Sequence, residues 1–173
     1  MKTSNTMAAL LAVVLGACGG DTPSAPPSTA LDEVDACALL TAEEIEEATG
    51  IAPGAPDDSG PASGPPMCNW PAADNSHPFA VSLLVAPSDN YTSFDGALAR
   101  WQESAEGMGM EFDANDYREV EGPGTVNSWM EEAGMLQAHR GNRMVQVFAQ
   151  VAPDRDGLAA STALARHAMA RLK

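Results

Sequence analysis

The chain predicts an α+β fold, an antiparallel sheet of about five strands packed against helices in the order α-β-β-α-β-β-β-α. Three observations carry this. Apolar stripes at helical spacing occupy three well-separated segments. Period-two alternation fills stretches between them. The strands of the second half follow one another through short Gly-containing turns, as hairpins do, so the sheet is antiparallel and not doubly wound.

Before the domain comes a delivery signal. Residues 1–17 have one positive charge, Lys2, then an apolar run from Met7 to Leu15 closed by small residues, the layout of a secretory signal peptide. The run is shorter than the about 20 residues a membrane span requires. Leu15-Gly16-Ala17-Cys18 resembles the bacterial lipobox, in which the Cys is lipidated through sulfur and becomes the new N-terminus. Acyl chains on Cys18 imply anchoring to a membrane with the body facing the extracytoplasmic side of the cell envelope, on the cell membrane or on an outer membrane if there is one. Residues 18–31, rich in Pro, Ser and Gly, read as a flexible tether, and 32–173 as a single domain.

The first helix is the best punctuated. Thr41 is a suitable N-cap, Glu44 three residues later completes a capping box, and Leu40 with Ile45 forms a hydrophobic staple. Gly50 is the expected stop. The glutamates Glu43, Glu44, Glu46 and Glu47 read as an exposed face of this helix, not as a carboxylate site. Pro- and Gly-rich residues 51–66 form a loop, and Met67–Ala72 opens a strand with Cys68 and Trp70 on one face. Pro78–Ala86 alternates, with Phe79, Val81, Leu83 and Val85 on one side. From about Ser93 to Glu106, Phe94, Ala97, Leu98, Trp101 and Ala105 make a stripe that belongs against a sheet.

In the second half, Asp116–Glu121 alternates weakly and Gly122-Pro123-Gly124 turns the chain. Strands follow at Thr125–Glu131, Met135–Arg140 and Arg143–Ala152, the last two joined by the hairpin turn Gly141-Asn142. A final helix runs from about Asp154 to Leu172, with a core stripe of Leu158, Thr162, Ala165, Ala168, Met169 and Leu172.

Charge and cysteines narrow the function classes. Cleavage removes Lys2 from the 9 Lys and Arg and none of the 24 Asp and Glu, leaving 8 against 24, a formal balance of −16. Such a surface repels nucleic acid. With Cys18 lipidated, Cys37 and Cys68 remain as an even pair in an oxidising compartment. A disulfide between them would be worth roughly 3 to 4 kcal/mol by chain entropy. A metal pair is the alternative, but lacks the short spacing of zinc sites.

Catalytic motifs are missing from the sequence: it holds no Gly-x-Ser-x-Gly elbow, phosphate-cradling Gly-rich loop or His-Glu-x-x-His pair. His77, His139 and His167 have no motif partner and read as surface or rim residues. Asp113-x-Asn115-x-Tyr117 starts like a calcium loop but lacks its central Gly and closing Glu. Met108-Gly109-Met110 has thioether spacing that suits Cu(I), with Met135, His139 and Met144 on the hairpin that follows. The simpler reading is that methionines fill gaps in a core poor in aromatics. No resident metal or cofactor is expected on this reading.

The segment Asp35-Ala36-Cys37-Ala38-Leu39-Leu40-Thr41, the Glu-rich helix ending at Gly50, and Cys68-Asn69-Trp70 together resemble a family of small bacterial lipoproteins, most familiar from actinobacteria. Its members have a lipobox, a Pro/Ser/Thr tether and a domain of unknown function with a Cys-x-Leu-Leu-Thr start and a Cys-x-Trp strand. The resemblance implies a Cys37–Cys68 disulfide and an extracytoplasmic location, and carries over no catalytic residue. The expectation is a membrane-anchored, non-enzymatic domain that binds an envelope protein or a small ligand. The alternative is a copper carrier or an enzyme whose site is assembled from residues distant in sequence.

Overall fold

The computed structural model describes residues 34–58 and 64–172; the segments expected to be signal peptide and tether, and Cys18, lie outside them. Its strands are β1 Met67–Trp70, β2 Val81–Pro87, β3 Tyr117–Glu119, β4 Val126–Met130, β5 Met135–Arg140 and β6 Arg143–Ala149. Its helices are α1 Ala42–Thr49, α2 Phe94–Gly107 and α3 Gly157–Arg171. The strands form one antiparallel sheet in the spatial order β1-β2-β6-β5-β4-β3. The α+β class holds, with six strands instead of about five. The extra one is β3, from the weakly alternating segment 116–121, paired to β4 as a short edge strand. β6 inserts between β5 and β2, so the last hairpin joins the two N-terminal strands to the rest of the sheet.

The α1 ends follow their chemistry. Thr41 Oγ1 accepts from the Glu44 N–H and the Glu44 carboxylate accepts from the Thr41 N–H, closing the capping box. Gly50 adopts the left-handed conformation at φ 71°, and a Cβ there would lie 3.1 Å from the Ala152 Cβ. Before α1, a 3-10 turn at Ala36–Leu39 is capped by the Asp35 carboxylate, which accepts from the Cys37 and Ala38 N–H groups. That turn holds Cys37 against β1, and Cys37 and Cys68 are joined in a disulfide with Cα atoms 5.1 Å apart. Residues 53–57 then run along the outer side of β1, bridging Pro53 to Ala72 and Asp57 to Asn69, so this sheet edge is covered.

Register sorts the sheet's two faces. Cys68, Trp70, Val81, Leu83, Val85, Leu136, Ala138, Val145 and Val147 share the face beneath the 3-10 turn, α1 and α3, and are buried. Gly124 lies tight against β5, since a Cβ on it would come within 2.6 Å of the His139 carbonyl oxygen. This close approach, with Asn127 bonded to both the N–H and the carbonyl of Gly124, explains the Gly-Pro-Gly turn.

Several sequence expectations shift. Glu44 is not part of a merely solvated face: Arg171 of α3 grips its carboxylate with two 2.7 Å bonds and also donates to the Leu39 carbonyl, while His167 Nδ1 lies 3.0 Å from Glu44. α3 starts at Gly157 because Asp156, not Asp154, supplies the cap, accepting from the Ala159 N–H. Its buried stripe is Ala160, Ser161, Leu164, Ala165, Ala168 and Met169, turned so that Leu158, Thr162 and Leu172 lie at the margin. Phe79 falls before β2 and is 48% exposed, outside the core row expected for it.

Replacing both Cys37 and Cys68 by Ser should lower unfolding stability by about 3 to 4 kcal/mol, read from urea midpoints. Arg171 holds the Glu44 carboxyl at about 2, below its ordinary 4.5. A depressed acid contributes stability above its unfolded pKa and loses it as pH falls through the folded one. Glu44→Gln should therefore cost about 1 to 2 kcal/mol at pH 7, the partial exposure of the pair limiting it. The gap between variant and parent should close as pH drops from about 5 toward 2 in denaturation curves.

Candidate functional site

The sheet's second face has no matching cover. Three register rows cross it: Met67–Leu84–Gln146–Gln137–Ser128–Glu119, Asn69–Ser82–Phe148–Met135–Met130–Tyr117, and Ala86–Met144–His139–Val126. α2 covers the β4 end, where Val126, Ser128 and His139 are buried. Over β1, β2 and β6, residues Met67, Ser82, Leu84, Ala86, Met144, Gln146 and Phe148 are only half-buried, and no helix among the described residues packs on them. Gln137 Nε2 donates to Gln146 Oε1 at 3.2 Å, a polar rung within this apolar surface.

α2 is held by an aromatic cluster. The Trp101 ring is 5.3 Å from His139 and 5.3 Å from Tyr117, Tyr91 meets Trp101 and His139 edge-on, and Phe112 stacks on Tyr117. The expected stripe thus faces the sheet, with Ala97 and Ala105 buried and Trp101 half-buried. Burial raises the Tyr91 and Tyr117 phenol pKa values above the ordinary 10.0.

His139 departs from the surface reading, being 3% exposed. Ser88 Oγ donates to the Asp89 carbonyl at 2.8 Å and lies 2.8 Å from His139 Nδ1. With its one hydrogen directed to Asp89, the hydroxyl accepts from Nδ1–H, which assigns the tautomer from the network. Nε2 is then a bare acceptor, buried without a protein partner, as the Ser128 hydroxyl also is. In a Ser-His-acid triad the serine sits on one imidazole nitrogen and an acid orients the other; here, among the described residues, the second nitrogen has no hydrogen-bond partner.

Other candidates separate. Met108 and Met110, with His139 the copper-type residues of the sequence, stand 63% and 54% exposed beyond the end of α2, while His139 is buried beneath that helix. Among the described residues no group of three His, Cys, Asp or Glu is placed to hold a metal. Asp113 accepts from the Asn115 N–H at 2.8 Å, a turn cap in place of a calcium loop. His77 is exposed, and His167 serves the Glu44 pair. A shallow cavity of about 270 Å³ at the hairpin tip is lined by Arg140, Asn142, Arg143, Met169 and Leu172, and Arg140 donates to the Met169 carbonyl there.

The methionines are the feature that sequence reasoning misplaced. Among the described residues Met169 alone of the methionines is in the core; Met67, Met130, Met135 and Met144 lie in the rows of the second face, and Met108 and Met110 lie past α2. They are a surface and not core filler. The signal was available as strand parity, but needed the pairing partners to bring four separate strands into one face. No family model, curated protein or solved structure matches the chain. No helix among the described residues is long and apolar enough to cross a membrane.

Burial holds His139 at about 4, below its ordinary 6.5. A histidine whose folded pKa is lowered favours the folded state when neutral, so its contribution is complete above about 6.5 and is lost on acidification toward about 4. The parent protein should lose of order 1 to 3 kcal/mol across that window, and His139→Gln should lack this slope. Urea midpoints followed by Trp fluorescence at stepped pH test it.

Proposed function

We propose that this chain is a lipid-anchored protein of the bacterial cell envelope whose folded domain is non-enzymatic and binds a protein segment or small ligand on the half-open sheet face. The leader, Leu15-Gly16-Ala17-Cys18 and the tether support the anchoring, with Cys18 as the lipidated residue. The likeness to small bacterial lipoproteins, and a disulfide suited to an oxidising compartment, support the same location.

The observation that carries the binding role is the surface formed by Met67, Leu84, Met144 and Phe148 over β1, β2 and β6. A sheet without cover on one such face exposes apolar area in one contiguous strip, the mark of an interaction site. Thioether side chains suit this role because they repack against differing shapes. The buried His–Ser pair, oriented by no acid, gives no support to a hydrolytic alternative.

A photo-reactive amino acid at Leu84 in the anchored protein should yield a defined adduct in intact envelopes, and the same probe at Arg166, exposed on α3, should not. Equal labelling from both positions, or none from Leu84, removes the binding role. Cys18→Ser should abolish incorporation of a palmitate analogue and release the chain from the envelope fraction. Persistence of both in the variant defeats the anchoring.

A further inference from the structure

We infer that the occupant of the open face is a cationic amphipathic helix of a partner protein, a reading that deepens the proposed binding role and rests on it. Size comes first. α2 already lies across the β4 end, and β1, β2 and β6 remain beside it. Three adjacent strands span roughly 10 Å between the outer two. One helix with its side chains is about 10–12 Å across. A second helix alongside α2 therefore fits the width left over.

Charge decides what kind of helix. The sheet's arginines all fall in the register of the other face: Arg118 pairs with the position of Trp129, and Arg140 and Arg143 share the parity of Ala138 and Val145. Arg155, Arg166 and Arg171 belong to α3 or the turn entering it. α2, which lies on the open face's side of the sheet, carries Asp95, Glu103 and Glu106, and the segment after it Glu111, Asp113 and Asp116, all exposed, against one arginine, Arg100. Arg100 is already engaged by Asp89 and Glu103. The apolar rows are thus bordered on the α2 side by carboxylates of α2 and of the segment after it, with no unengaged cation from β1, β2 or β6. A neutral or acidic ligand would bring its own polar flanks against these carboxylates. A helix with an apolar stripe and Lys or Arg at its margins satisfies both the methionine surface and its rim.

The test uses the full mature chain with Cys18→Ser and a fluorescent Leu/Lys amphipathic peptide of about 18 residues, five helical turns. Its counterpart carries Glu for every Lys. The Lys peptide should bind at least tenfold tighter, and weaken as salt rises. Ser82→Lys with Gln146→Lys, placing charge on the half-buried face, should weaken it at least tenfold more than the charge-matched pair Ala159→Lys with Ala170→Lys on exposed α3 positions. If circular dichroism shows the first pair misfolded, Ala86→Lys at the margin of the face replaces it. Equal binding of the two peptides, or equal effects of the two variants, overturns the inference. So does self-association lost in the face variant, which makes a second copy the occupant, or uptake of a fluorescent fatty acid in place of the Lys peptide. An adduct from the Leu84 probe with no peptide binding rejects the cationic helix alone; no adduct rejects the binding role itself.

Discussion

The Cys37–Cys68 disulfide is the constraint on which the helix-covered side depends. α1 has only eight residues, too few to hold a helix in water by itself. The bond places the turn preceding it on the sheet, and the capping box and Gly50 define where the helix begins and ends. Glu44 then has two tasks, closing the cap and receiving Arg171. Cap and ion pair share one carboxylate, so local helix formation and docking onto α3 are coupled.

This arrangement makes the sheet two-sided. The covered face is built of Val, Leu, Ile, Ala and Trp, residues that pack in one way. Over β1, β2 and β6 the other face presents Met67, Met144, Leu84, Phe148, Ala86, Ser82, Gln146 and Asn69, and α2 closes only its β4 end. Aromatic contacts at that end are dense enough to bury His139 in its neutral form. On the proposed binding role the difference in composition between the faces follows: one is packed to a single arrangement, and the other would adapt to a partner.

What was legible in the sequence was what is local. Thr41, Glu44 and Gly50 set α1 within one stretch of chain, and Val81, Leu83, Val85, Val145 and Val147 declared their common face by alternation. Cys37 and Cys68 could be paired because a single alternative partner, Cys18, had another role assigned. The phase of α3 is not legible in sequence because alanine is nearly indifferent to burial: with Ala at so many positions the apolar stripe is broad, and packing against β5 and β6 chooses its centre. β3 does not show in the sequence as a strand because three residues give too little alternation, and its pairing to β4 is a tertiary event. His139 looked exposed because nothing near it in sequence foretells Trp101 and Tyr91 closing over it.

The same limit explains the methionines. Read along the chain they are scattered, and a scattered thioether in a small domain reads as gap filler. Read across the register, Met67, Met130, Met135 and Met144 occupy one face on four different strands. Had they been filler, burial would be complete, as it is at Met169. A sheet face that was only solvent-exposed would carry Thr, Lys and Glu in their place, which are better strand-surface residues and resist association. Half-burial with flexible apolar side chains matches neither role. It is what the proposed binding role requires, a sheet face whose missing layer a partner would supply.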